Sequence, residues 1–216
     1  MNALGTLSSM PSVFSVAALT NLKPLPTMKT FFGALRLLLV LTLLTGVAYP
    51  LLVTTLAAIM PEQAAGSLVR SDDGRVIGSA LIQQNFTQPK YFRGRPSTVD
   101  FTKPDGVLGS GGSHLSPNDV RLRDAVNTRS AELRKFEGLG ADAPVPPELV
   151  LASASGVDPD ISPEAALFQA PRVAKARSME VSRVLELVTK NTTPGGVLGP
   201  ARVNVLKLNL ALDAAR

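Results

Sequence analysis

The chain has 216 residues, with 22 Lys and Arg against 17 Asp and Glu, and no Cys. The absence of Cys excludes disulfide bonds and Cys-ligated metal sites. The net charge of +5 does not indicate a nucleic-acid-binding protein, because residues 1–61 hold three basic residues and no acidic one, which leaves 19 basic against 17 acidic residues for the remainder.

Residues 1–27 mix Ser, Pro, Leu and Ala without any periodicity and carry a single charge, on Lys23. Met28 directly precedes the most apolar part of the chain. We expect residues 1–27 to be a disordered extension, or Met28 to be the true initiator.

An uninterrupted apolar run extends from Leu37 to Met60 and contains no charged residue. As a helix, this run would span about 36 Å, which exceeds the hydrocarbon core of about 30 Å. The pattern predicts a transmembrane anchor over residues 28–61, with its core helix at 37–60. A cleaved signal peptide is the alternative, but signal peptides have a shorter apolar region of about 7–15 residues.

The charges on either side of the apolar run predict its orientation. Lys23, Lys29 and Arg36 precede it, and no acidic residue occurs before Glu62. Because Lys and Arg are retained on the cytoplasmic side, the N-terminus should lie inside the cell. In a bacterium, this orientation would place the anchor in the inner membrane and residues 62–216 in the periplasm.

One face of the anchor has the composition of a helix-packing surface. Thr42, Thr45, Gly46 and Tyr49 are spaced three or four residues apart, and small or hydroxylated residues let helices approach closely. Pro50 cannot donate to the helix, which predicts a kink. We predict that these five residues pack against other transmembrane helices. The alternative is a simple anchor whose hydroxyls bond back to their own helix.

The first part of the outer domain is predicted to contain a hairpin, a loop layer and a helix. Ser67–Arg70 and Arg75–Ile82 flank a turn signal and predict two antiparallel strands. Residues 83–116 are rich in Gly, Pro and polar residues and indicate a long loop. A helix should begin at a Ser116 cap and end at Gly138.

The next part is predicted to contain a short strand and two helices. Leu149–Ala152 has the composition of a strand. A helix should begin at a Ser162 cap and be kinked or split at Pro171. Ser178 should cap a further helix over 179–190.

The C-terminal part contains a strand signal and an ambiguous segment. Asn191–Gly196 is predicted to be a turn, and Arg202–Val205 alternates like a strand. The apolar residues that follow fit either a helix or a strand. The predicted fold class is α+β, with one N-terminal transmembrane helix followed by a single mixed extracytoplasmic domain.

The residues available for catalysis favour a protein without enzymatic activity of its own. His114 is the only histidine, in a loop beside Gly111 and Gly112, and no metal-binding, Walker A or nucleophile motif occurs. Two alternatives stay open, a membrane-tethered periplasmic enzyme and a ligand-binding module. An enzyme would need reactive groups with perturbed pKa in a cleft, and the sequence offers no convincing set.

Several long motifs identify a family. The chain resembles the C subunit of Kdp-type bacterial potassium-transporting ATPases from about Met28 to Asp213. The similarity lies in five segments, GSALIQQ at 78–84, YFRGRPS at 91–97, GGSHL at 111–115, SASGVDPDISPEAALFQAPRVAKAR at 153–177 and RVNVLKLNLALD at 202–213. Departures from the family pattern are local, namely Asp160 for His, His114 for Asn and Glu148 for Asp.

The resemblance implies an accessory subunit of a potassium uptake pump. Its partners would be a channel-like A subunit, a P-type ATPase B subunit and a small F subunit. The chain would have no cofactor of its own, and potassium would be the ion that the complex transports.

The resemblance also implies a catalytic-chaperone role, in which the subunit raises the affinity of the ATPase subunit for ATP. The implied nucleotide contacts are Ser153, Ser155, Gly156, Asp158, Gln169 and Arg172. The predicted topology conflicts with this role, because ATP binds P-type ATPases in the cytoplasm and the domain is predicted to lie outside. We therefore expect assembly and bracing of the complex to be the main role.

Overall fold

The computed structural model describes four stretches of the chain, residues 27–71, 73–99, 109–197 and 199–215. Of residues 1–27, for which a disordered extension is predicted, residues 1–26 lie outside the described residues, and Thr27 caps the first helix. The chain divides into two compact units, one ending at Ile59 and the other beginning at Met60.

The first unit contains a helix from Met28 to Ala57 that is long and apolar enough, by length and composition, to cross a membrane. It begins before the predicted core helix 37–60 and ends three residues earlier. The early end has a local cause, because Pro61 disfavours helical backbone at the preceding residue. Met60 accordingly has φ −126° and ψ 63°.

This helix changes its hydrogen-bond register in the middle. Helix α1 (Met28–Leu43) leads into a π turn (Leu44–Ala48), after which helix α2 (Tyr49–Ala57) continues. Pro50 explains the π turn, because it has no N–H and its ring crowds the carbonyl four residues earlier. The disturbance predicted from Pro50 therefore takes the form of a π turn just before it.

The second unit begins with one turn of helix, α3 (Pro61–Ala64), and the predicted hairpin. Strands β1 (Leu68–Arg70) and β2 (Val76–Ser79) pair antiparallel. The hairpin prediction is confirmed, with shorter strands than the two segments that predicted it.

Helix α4 (Val120–Glu137) ends as predicted, at Gly138 in the left-handed conformation with φ 71°. The predicted Ser116 cap is wrong. Asp119 has the extended backbone of a cap, and its carboxylate accepts the Arg121 N–H at 2.8 Å. The described residues between β2 and α4 form no helix or strand, in agreement with the predicted loop layer.

The strand predicted over Leu149–Ala152 is wrong. A 3₁₀ turn occupies Pro147–Leu149, and the N–H groups of Leu149 and Val150 donate to carbonyls three residues earlier. The prolines before Leu149 fix φ near −65°, which suits a turn better than a strand. The burial of Leu149 and Val150 accounts for the apolar pattern.

Helix α5 (Pro163–Arg177) begins at the predicted Ser162 cap, whose hydroxyl accepts the Ala165 N–H at 3.1 Å. Of the two outcomes predicted at Pro171, the split is wrong, because the helix continues through it, and the kink stays a prediction. Pro171 has no N–H to donate to the Leu167 carbonyl. Both residues are exposed, so water can bond that carbonyl instead.

Helix α6 (Val181–Lys190) follows after a short turn. The prediction that Ser178 caps this helix is wrong, because Ser178 ends α5 with φ 53° and Glu180 occupies the cap position of α6. Val184 and Val188 are buried in the core, whereas Val181 is 41% exposed.

Three short strands form a second antiparallel sheet in the order β3–β5–β4. They are β3 (Asp160–Ile161), β4 (Thr192–Thr193) and β5 (Arg202–Asn204). The strand prediction at 202–205 is confirmed over three residues. At Asn191–Gly196 the turn prediction is wrong for residues 192–193, which pair with β5.

The ambiguous C-terminal segment is a helix, α7 (Val205–Ala214). Asn204 favours the helix over a strand because it caps the helix. Its side-chain oxygen accepts the Lys207 N–H at 3.1 Å. The second unit is thus a mixture of helices and small sheets, as predicted. Its core lies among α5, α6, α7 and β5 and includes Ala165, Ala166, Ala170, Val173, Val184, Val188, Val203, Leu208 and Leu212.

Candidate functional site

Residues 89–95, here called the clamped segment, form no helix or strand, yet side chains bond their backbone. Gln169 on α5 accepts the Arg93 N–H at 2.8 Å and donates to the Arg93 carbonyl at 3.1 Å. Asn209 on α7 bonds Phe92 in the same way, at 2.8 and 2.9 Å. Two side-chain amides therefore take the place of a neighbouring strand.

Two arginines of α5 bond the beginning of the clamped segment. Arg172 Nη1 donates to the carbonyl of Tyr91 at 2.9 Å and also to that of Pro89. Arg177 Nε donates to the Lys90 carbonyl at 2.7 Å. Together with the two amides, these contacts give every carbonyl from residue 89 to residue 93 a side-chain donor.

A buried ion pair supports the clamp. Arg172 Nε lies 2.9 Å from Glu137 Oε1, and the two side chains are only 6% and 3% exposed. Burial raises the pKa of Glu137 and lowers the pKa of Arg172, while the attraction between the two charges opposes both shifts. The Phe136 ring also lies 4.7 Å from the Arg172 guanidinium and 3.6 Å from that of Arg93.

The loop at residues 153–158 connects two other loops through its backbone. The Ser153 N–H donates to the Pro96 carbonyl at 2.9 Å, and the Gly111 N–H donates to the Ser155 carbonyl at 2.8 Å. Ser153 itself is only 1% exposed. The backbone of this loop thus joins the loops that contain Pro96 and Gly111.

Gly156 occupies a position in this loop that only glycine fits. Its φ is +71°, and a Cβ would lie 2.5 Å from Val99 Cγ2 and 2.6 Å from the Gly111 carbonyl. Crowding and backbone conformation therefore both select glycine at position 156. Two residues further on, Asp158 forms an ion pair with Arg95 at 3.2 Å.

A cleft of about 380 Å³ lies beside the clamped segment. Its lining includes three arginines and several amides, namely Arg93, Arg95, Arg129, Gln83, Gln84, Asn85 and Gln169. Among the described residues, Gln169 is the one predicted nucleotide contact that lines the cleft. The other five predicted contacts do not line it, namely Ser153, Ser155, Gly156, Asp158 and Arg172.

The Gln169 side chain has no hydrogen-bonding position left over. Its nitrogen donates to the carbonyls of Arg93 and Ala165, and its oxygen accepts from the Arg93 N–H and Arg172 Nη2. A nucleotide contact would have to replace one of these four bonds. The nucleotide contact stays a prediction.

The sequence interpretation did not identify Asn209 and Glu137 as important. The Asn209 side chain is 1% exposed within the apolar helix α7. The sequence feature that could have identified it is a single amide side chain among leucines. No sequence feature indicated that Glu137 is buried, because an acidic residue at the end of a helix usually lies on the surface.

A family model described as "K⁺-transporting ATPase, c chain" matches residues 31–214. The chain belongs to the KdpC family. It is therefore a subunit of a potassium-transporting P-type ATPase complex, and its candidate transmembrane helix agrees with a membrane location.

Three relatives named "Potassium-transporting ATPase KdpC subunit" illustrate the similarity to the KdpC family. The protein of Rhodopseudomonas palustris strain BisB18 is 50% identical over 88% of this chain and 100% of its own. That of Polaromonas naphthalenivorans is 54% identical over 85% of this chain and 93% of its own. That of Burkholderia orbicola is 51% identical over 88% of this chain and 98% of its own.

The membrane helix of this KdpC-family chain contains the second set of predicted contacts. The Thr45 hydroxyl donates to the Leu41 carbonyl at 2.7 Å, and Thr42 Cγ2 lies 4.0 Å from the position that a Gly46 Cβ would occupy. Tyr49 is 64% exposed in the isolated chain. The predicted packing of Thr42, Thr45, Gly46, Tyr49 and Pro50 against another helix stays a prediction.

Proposed function

We propose that this chain is an accessory, non-catalytic subunit that assembles and stabilises the potassium pump. Its partners are the channel-like A subunit, the ATPase B subunit and the small F subunit that the family resemblance implies. The observation that carries the proposal is the clamp, in which four side chains bond the backbone of the clamped segment, namely Gln169, Arg172, Arg177 and Asn209. Such bonding favours a rigid support over a reactive site.

The support acts outside the cell in this proposal. The helix of residues 28–57 anchors the chain in the bacterial inner membrane, with its basic flank in the cytoplasm. The domain then braces the potassium entrance of the channel-like subunit. A net charge of only +2 after residue 61 favours bracing over collecting or repelling ions.

The predicted orientation can be tested with single cysteines, because the chain has none of its own. We expect Ser182→Cys, at an exposed position of α6, to react with a membrane-impermeant maleimide in intact cells. The matched variant Lys29→Cys, on the other side of the apolar run, should react only after the inner membrane is permeabilised. The reverse pattern would disprove the extracytoplasmic placement.

The catalytic-chaperone role is a second proposal, and it rests on the cleft. Gln169 lines this cleft together with Arg93, Arg95 and Arg129, whose charges suit an anionic ligand. The four internal bonds of Gln169 and the proposed extracytoplasmic placement both count against a direct contact with ATP.

Two variants distinguish these roles of Gln169. If Gln169 contacts nucleotide, Gln169→Met should abolish binding of a fluorescent ATP analogue by the full chain in detergent, and Asn209→Met should not. The control is matched, because Asn209 makes the equivalent two bonds to Phe92. If Gln169 is purely structural, both variants should bind the analogue as the wild type does, and both should accelerate hydrogen exchange of the clamped segment.

A further inference from the structure

The π turn leaves one backbone carbonyl of the membrane helix without a donor. The Tyr49 N–H donates to the Leu44 carbonyl, five residues earlier. The next carbonyl is that of Thr45, and in the same register its donor would be Pro50, which has no N–H. Among residues 27–59 no side chain replaces this donor, since the Thr45 hydroxyl itself bonds Leu41.

This carbonyl lies where water cannot compensate. Thr45 is near the middle of the helix formed by residues 28–57, and it therefore lies deep in the hydrocarbon when the helix spans a bilayer. An unbonded carbonyl is strongly unfavourable there, so the missing donor must come from protein.

The surroundings of the carbonyl suit a second helix. Gly46 has no side chain, and a Cβ at that position would have only Thr42 within 4.0 Å, so a neighbouring backbone can approach. Tyr49 follows Thr45 by one turn, and its hydroxyl has no hydrogen-bond partner among residues 27–59. A polar side chain from another helix would reach both groups at the same depth.

We propose that a transmembrane helix of another subunit of the pump packs over the π turn and donates a side-chain hydrogen bond to the Thr45 carbonyl. The donor is a Ser, Thr, Asn, Gln, Tyr or Trp side chain at the same depth. A different subunit is favoured over a second copy, because the chain belongs to a family of subunits of one pump. The inference rests on the proposed assembly role and assigns its contact point.

Pro50→Ala tests the inference within the assembled complex. The new N–H can satisfy the Thr45 or Gly46 carbonyl internally, and relaxation of the π turn to an α-helix would rotate the preceding residues against α2 by about 100°. We expect retention of the chain by its partners during detergent challenge to fall about threefold to tenfold, the range of one interhelical hydrogen bond.

The matched control is Thr55→Val, which removes a hydroxyl that bonds back to the Leu51 carbonyl at 2.8 Å. It should leave retention unchanged. Equal retention of Pro50→Ala and wild type would overturn the inference, because Pro50→Ala favours the helix itself and cannot fail by unfolding it.

A photo-crosslinking residue identifies the occupant. With p-benzoylphenylalanine in place of Tyr49, we expect an adduct to a transmembrane segment of another subunit that contains one of the named donors within a turn of the attachment point. Adducts only to lipid, or to a second copy of this chain, would overturn the inference. The proposed function fails separately, if the other subunits assemble and transport potassium equally well without this chain.

Discussion

Replacing Arg172 with Met should destabilise the second unit by about 3–5 kcal/mol, the usual cost of leaving a buried charge without its partner. The charge left behind is Glu137, whose side chain is 3% exposed. The variant also loses the bonds from Arg172 to the carbonyls of Pro89 and Tyr91. Hydrogen exchange of α5 amides, measured by mass spectrometry on the full chain in detergent, reports this free energy of unfolding.

Two further variants make this result specific. Arg183→Met breaks an ion pair with Glu186 whose side chains are 49% and 45% exposed. It should destabilise the second unit far less than Arg172→Met does, because solvent screens exposed pairs. Adding Glu137→Leu to Arg172→Met should restore part of the lost stability, since the unpaired charge is then gone. Equal effects of Arg172→Met and Arg183→Met would contradict a role for the buried pair.

The pH dependence of the Arg172→Met variant has a definite sign. Burial raises the pKa of Glu137 above its ordinary value of 4.5 even beside Arg172, and loss of the Arg172 charge should raise this pKa further. A raised pKa in the folded state contributes stability below the unfolded-state pKa, and that contribution is lost as pH rises through the folded-state pKa. The deficit should therefore be smallest near about pH 4 and grow toward about pH 7.

Replacing Gly156 with Ala should destabilise the loop at 153–158 by about 2–5 kcal/mol, because a left-handed backbone costs about 1–2 kcal/mol for a residue with a Cβ and overpacking about 1–3 more. The added methyl would lie 2.5 Å from Val99 Cγ2 and 2.6 Å from the Gly111 carbonyl. Hydrogen exchange of the Gly111 amide, which bonds Ser155, should accelerate. The global effect can be followed in α5 as above.

Two other glycines separate the causes of this effect. Gly138 has the same φ of +71°, but an added methyl there would have nothing within 4 Å, so Gly138→Ala measures the cost of the backbone conformation alone. Gly140 has neither positive φ nor a close neighbour, so Gly140→Ala should change little. If Gly156→Ala costs no more than Gly138→Ala, the contacts with Val99 and Gly111 are unimportant.

Local signals predicted several element ends and one hairpin correctly where a single residue or turn decides the conformation. The Gly138 stop, the Ser162 cap and the hairpin turn each depend on the conformation of one residue or turn, and each is found. Predictions failed where two local signals competed. Ser116 and Asp119 can both cap a helix, and Ser178 can either cap one helix or end another.

Two features of this protein can be read directly from its amino-acid order. The length and the uninterrupted apolar composition of one segment predict the membrane helix, because contact with lipid stabilises such a helix. The long motifs determine the family. Only the tertiary structure decided what the polar residues of those motifs do. Gln169 and Asn209 bond residues 76 and 117 positions away, and the sequence cannot specify these partners because burial decides which distant donor each carbonyl meets.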